Sequence, residues 1–338
     1  MKVSPTYLVS LVFLIVVACS AERQETVDRG PGAVAPRRAP IEINLDVEDP
    51  PIPTETRSAE FQAGKLAMKR KDYETAIGHF RSAAEAGEAA AQTNLGVMIL
   101  NGYGTSEPRQ NAEVWFLKAA QQNDDYAQLN LGLLYLQGAI PRDCSAALTW
   151  LHKAAESAVP EAGFELGRLY YFGECVPKDR EKSAAWRLRA AELGHAGAQV
   201  RLAGMYARGD GMPRDPDQQV KWLSKAAENQ DPEALWLFGF MLQSGRGVVA
   251  KDEPRGIDLL LKAHDQGNPC ATIYLAICFY EGAGGVPQDE DRARMLLQSP
   301  AITPAQRDVV QRIDFSNPTS RSRSERELSD LLESLDCW

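Results

Sequence analysis

Apolar and small residues recur along this chain with a period near 36. A small residue opens each cycle, at Ala91, Ala127, Ala162, Ala198, Ala234 and Ala271. Four positions later stands a large apolar residue: Leu95, Leu131, Leu166, Leu202, Phe238 and Leu275. Gly or Ala follows at once, as Gly96, Gly132, Gly167, Ala203, Gly239 and Ala276. Three further on is another large or aromatic residue: Ile99, Tyr135, Tyr170, Tyr206, Leu242 and Phe279. These offsets lie on one face of a helix, so each cycle predicts an amphipathic helix of about three turns.

A second helix repeats behind the first. Trp115, Trp150, Trp186 and Trp222 share one position, taken by Leu259 in the fifth cycle, and Lys or Arg follows three residues on. Between the helices lie turns rich in Gly and Pro, such as 173–179, 209–215 and 282–289. Gly supplies the positive φ that ends one helix, and Pro cannot continue it. The Asp closing each turn, as at Asp179, Asp215 and Asp289, is a candidate N-cap for the second helix. A fixed period of this size predicts a solenoid, in which each unit buries its apolar face against its neighbours.

This pattern closely resembles the Sel1-like repeat, a relative of the tetratricopeptide repeat, over roughly residues 57 to 300. The resemblance implies an all-α fold, a right-handed α-solenoid superhelix of helix-turn-helix repeats. Residues 57–87 lack the Gly-rich turn and read as a tetratricopeptide-like capping pair. Six repeats occupy 88–299, and 300–338 are expected as C-terminal capping helices: a short one from Thr303 to about Ile313, and one from Glu325 to Leu335. The second of these has Leu328, Leu331, Leu332 and Leu335 at helical spacing. It either covers the exposed end of the last repeat or docks elsewhere.

In this repeat class the first helices line the concave face. Positions 3, 6 and 10 after the marker alanine form a variable stripe there, polar at first, with Arg and Phe in the middle and aromatic at the end. Arg168, Phe172, Arg201, Arg208, Phe240 and Tyr274 are the candidate partner-gripping residues, because Arg and aromatic side chains dominate interface hot spots. The alternative is that Phe240 and Tyr274 pack between neighbouring helices and the arginines are solvated.

The N-terminus adds an address. An apolar run from Leu8 to Val17 is too short to span a bilayer comfortably, so residues 1–18 read as a signal peptide. The run ends in Val16, Val17, Ala18 and Cys19, which resembles a bacterial lipobox. That resemblance implies lipidation of Cys19, and Ser20 after it suggests the outer membrane. Residues 19–56 carry six prolines and no sustained period, as expected of an extended tether.

Charge and chemistry narrow the function. A formal net charge of −9 over 338 residues argues against nucleic acid as a partner. Four histidines at unrelated positions give no metal-ligand spacing, and no nucleophile or phosphate-loop motif occurs. No cofactor and no catalytic residue are expected. Five cysteines remain besides Cys19. Cys144 opens the second helix of one repeat and Cys175 lies in the turn of the next, on one edge of the stack, which makes them a candidate disulfide. Cys278 holds a core position, and Cys270 pairs with Cys337 if the last helix caps the array. The expected function is a non-catalytic protein-binding adaptor of the bacterial cell envelope, with envelope proteins as partners and the membrane reached through the lipid. The alternative is a cell-wall glycan or muropeptide binder or hydrolase.

Overall fold

The computed structural model describes residues 58–137, 140–245 and 248–302. The signal segment, Cys19, the tether and the helices expected after 302 lie outside the described residues. Every regular element among the described residues is helical. They fall in two compact units, one within Arg29–His195 and one from Ala196 onward.

The first unit holds α1 (Ala59–Lys69), α2 (Tyr73–Glu85), α3 (Ala89–Asn101), a 3-10 turn (Arg109–Asn111), α4 (Ala112–Gln121), α5 (Asp125–Gln137), α6 (Cys144–Glu156), α7 (Pro160–Phe172) and α8 (Arg180–Glu192). The second holds α9 (Ala196–Arg208), α10 (Pro216–Glu228), α11 (Pro232–Ser244), α12 (Glu253–Asp265), α13 (Pro269–Glu281) and α14 (Glu290–Leu297). Within each unit every helix packs on the next in sequence. This is an all-α repeat solenoid.

The periodic positions form the core. All six marker alanines are fully buried, and so are Leu95, Leu131, Leu166, Leu202 and Leu275. Burying one such leucine contributes about 2 kcal/mol. The small residue after each large one sits where the two helices of a repeat cross. A Cβ on Gly96 would lie 2.6 Å from the Phe116 ring, and one on Gly132 would lie 2.6 Å from Leu151. Phe116 and Leu151, each just after a tryptophan, therefore seat against a bare backbone.

The turn aspartates act at both of their polar groups. Asp143, Asp179, Asp215, Asp252 and Asp289 each accept a backbone N–H through the side chain at the start of a second helix. Each also donates its own N–H back to the first helix, to the carbonyls of Tyr135, Tyr170, Tyr206, Leu242 and Phe279 at 2.7–3.2 Å. Backbone N–H bonds hold the Asp179 carboxyl below the usual range. The Trp–Lys spacing has a physical reason too. Lys118, Lys153 and Lys225 place their ammonium groups 4.3, 4.5 and 4.8 Å from the Trp115, Trp150 and Trp222 rings. Residues three apart share a helix face, so each pair makes a cation–π contact.

A buried amide follows several marker alanines. Gln92 accepts from Gln122, the C-cap residue of α4, at 2.9 Å, and Gln199 accepts from Asn229, the C-cap residue of α10, at 3.3 Å. Gln128 holds the same position, but the C-cap residue of α6 is Ser157, and the buried Gln128 Oε1 has no hydrogen-bond partner among the described residues. Ser157→Gln supplies the missing donor. It is expected to raise stability by about 1 kcal/mol, read as a higher urea midpoint at unchanged slope. An unmoved midpoint would show that water already satisfies the amide.

Candidate partner-binding surfaces

In the first unit, α7 carries Arg168 and Phe172. Arg168 is fixed by two carboxylates. Its Nε donates to Glu165 at 2.8 Å and its Nη1 to Glu174 at 3.0 Å. Burial pulls the guanidinium pKa down, but the two glutamates more than offset this and leave it raised. One turn on, Phe172 is 45% exposed, with its ring edge-on to Tyr171 at 5.1 Å. This unit thus presents a solvent-facing aromatic one turn from an arginine whose geometry is set before any partner arrives.

Tyr171 organises two further cations that the periodic pattern alone did not single out. The Arg180 guanidinium lies 3.3 Å from the ring centroid and that of Arg187 4.6 Å from it. Arg187 is 2% exposed and occupies the site held by Phe116, Leu151 and Leu260 in sister repeats, with its Cγ 2.7 Å from where a Gly167 Cβ would stand. A charged residue at an apolar register position was the signal in the sequence.

Cys144 and Cys175 are joined by a disulfide, with an S–S distance of 1.99 Å. It ties the start of α6 to the turn between α7 and α8. Arg142 Nη2 approaches the Cys175 sulfur at 3.5 Å. The bond borders an open cleft of about 1000 Å³ whose walls include Glu113, Tyr135, Arg142 and Asp143. Burial and the hydrogen bond to Glu113, at 2.6 Å, push the Tyr135 phenol up to about 12.

In the second unit, Arg201 on α9 makes two parallel 3.0 Å bonds to Glu233 of α11. Both side chains are about two-fifths exposed, and such a pair contributes only about 0–1 kcal/mol, so a competing carboxylate can displace it. The half-buried Arg208 folds its guanidinium over Gly204, 3.4 Å from where a Cβ would sit. Phe240 is only 6% exposed. It packs edge-to-face on Tyr274 at 5.2 Å, and Trp236 lies 5.5 Å from Phe240 and 5.6 Å from Tyr274. These three rings join α11 to α13. The structure therefore brings Phe240 and Tyr274 together, and pairs Arg168 and Arg201 with carboxylates of their own unit. Cys278 is a free, buried thiol pushed up to about 12, first by burial and then by Glu281.

The sequence model of the Sel1 repeat family matches residues 60–88, 89–124, 125–159, 160–195, 196–231, 232–268 and 271–299. The chain belongs to the Sel1 repeat family. The first matched segment coincides with α1 and α2, the pair expected from its sequence as a tetratricopeptide-like cap. A Sel1 repeat protein from Oxalobacter formigenes is similar in structure, with a TM-score of 0.65 and 28% identity, over 70% of this chain and 97% of that one. So is c5321, a protective antigen of uropathogenic Escherichia coli with the same repeat fold, with a TM-score of 0.61 and 28% identity, over 82% of this chain and 61% of that one. No curated protein matches the sequence. Sel1 repeat proteins are generally non-catalytic scaffolds that mediate protein–protein interaction. No helix among the described residues is long and apolar enough to cross a membrane.

Proposed function

We propose that this Sel1 repeat chain is a protein-binding adaptor of the bacterial cell envelope, held at the outer membrane by lipid on Cys19 and using its first helices to grip an envelope protein. The observation that carries the reading is Phe172, exposed beside an arginine already locked by Glu165 and Glu174. Exposed aromatics next to ordered guanidinium groups are the residues on which interfaces concentrate their free energy. Arg201 is the second gripping residue, because its exposed ion pair is cheap to exchange. The apolar run ending at Cys19 supports the membrane address.

The test is a crosslinking pull-down from intact envelopes with the full chain and a Phe172→Ala variant. That side chain is solvent-facing, so its loss leaves the fold intact. Capture of one partner by the native chain, falling at least tenfold in the variant, is expected. Equal capture would move the site off α7. The absence of any protein partner, with sedimentation on peptidoglycan instead, would replace the adaptor by a glycan binder.

A further inference from the structure

The open cleft beside the Cys144–Cys175 bond lies within the first unit, where α4, α5 and the start of α6 meet. Its walls break the repeat pattern in two ways. The first is a carboxylate. Glu113, two positions before Trp115, stands where the next four repeats have Leu148, Ala184, Val220 and Ile257. The Tyr135 hydroxyl donates to Glu113 Oε1 at 2.6 Å and orients it, while Oε2 has no hydrogen-bond partner among the described residues.

The second is a missing cation. At the sister positions of Tyr135, the Tyr170 ring lies 5.5 Å from the Lys182 ammonium and the Phe279 ring 4.3 Å from the Arg292 guanidinium. Lys182 and Arg292 are each the third residue of a second helix, α8 and α14. The third residue of α6 is Ala146, which brings no charge to Tyr135. The repeat without a cation of its own is thus the one with a carboxylate bonded to the ring hydroxyl. An aromatic face attracts cations, and a fixed carboxylate beside it adds Coulomb attraction. Asp143 contributes a second carboxylate to the cleft while accepting the Ala146 N–H at 3.0 Å. Arg142, the cation of the lining, leans towards the Cys175 sulfur at 3.5 Å and Glu174 at 4.0 Å.

We propose that this cleft binds a lysine or arginine side chain of a protein partner, with Tyr135 as its ring platform and Glu113 as its counter-charge. This goes beyond the adaptor reading. It shares the protein-binding role, but it involves neither Phe172 nor the lipid.

Two measurements on the full chain test it. The first supplies the cation from within. Ala146→Lys puts an ammonium where α8 carries Lys182, and it is expected to raise the urea midpoint, although a cation in a first turn opposes the helix dipole. The gain should vanish when Glu113→Gln is added, a change that keeps an acceptor for Tyr135 and so leaves the fold intact by circular dichroism. No gain, or a gain that survives Glu113→Gln, would overturn the site. The second selects a phage-displayed library of random dodecapeptides on the native chain. The enriched peptides are expected to share a Lys or Arg. Their affinity should fall at least tenfold when that residue becomes Gln, and equally when the chain carries Glu113→Gln or Ala146→Lys. No enrichment, or binding indifferent to these changes, would overturn the proposal. Peptides lost with Phe172→Ala but kept with Glu113→Gln would also sink it while leaving the adaptor reading standing.

Discussion

Gly104→Ala is expected to lower stability by about 3 kcal/mol. Gly104 lies in the turn after α3, with φ +65°, and the turn rests on the first residue of α2. A Cβ there would come within 2.3 Å of the Tyr73 carbonyl oxygen and 2.6 Å of its carbon. Both obstacles are backbone, so no side-chain rotation relieves them. The neighbouring ring stack, Tyr73 on Tyr103 at 4.8 Å, fixes the turn from the other side. Gly87→Ala is the matched control. Gly87 also has positive φ, +98°, but nothing lies within 4 Å of its added Cβ. It should show only the backbone cost, about 1–2 kcal/mol. Urea unfolding of the two variants reads the difference. Equal midpoints would mean that the turn lifts off Tyr73 without penalty.

Loss of the Cys144–Cys175 bond is the second large effect. The bond closes a loop with a sequence separation of 31. Restricting the unfolded chain by a loop of that size is worth about 3.7 kcal/mol in the chain-entropy account, within a typical range of about 2–4 kcal/mol. The double variant Cys144→Ser, Cys175→Ser is the right comparison, because Cys270 is disulfide-bonded too and a reductant would open that bond as well. Thermal unfolding of the variant is expected at a clearly lower temperature, with the native helical circular dichroism retained beforehand. An unchanged melting temperature would show that the turn carrying Cys175 is already ordered without the crosslink.

The fold was legible because its cause is periodic. A repeat buries the same offsets each time, so the alanine and leucine positions announce helix, face and crossing point together. The disulfide was legible for a related reason: equivalent turns stack on one edge, and the two cysteines occupy neighbouring copies of it. The surface residues were less so. Arg168 and Arg201 stood out by type and position, but whether an arginine is committed depends on its neighbours. Glu165, three residues before Arg168, was in view, whereas Glu233 lies 32 residues from Arg201 and meets it only through stacking. Phe240 and Tyr274 belong to different helices, and their mutual packing depends on the approach of α13 to α11, which one helix's pattern does not encode. Arg187 is hard to read because its type suggests the surface, whereas its register position, shared with Phe116 and Leu151, is buried.

The aspartate that joins the two helices of a repeat has a consequence for how the chain comes into being. The links it makes back to the first helix span only 8 to 10 residues, from Tyr135 to Asp143 at the shortest and Phe279 to Asp289 at the longest. Short closures form early and lose little chain entropy. A helix pair can therefore close while the next repeat is still being synthesised, within the few seconds that about 36 residues take to emerge. Such a chain matures in the order in which it is made, and an exposed apolar face waits only as long as its neighbour takes to arrive.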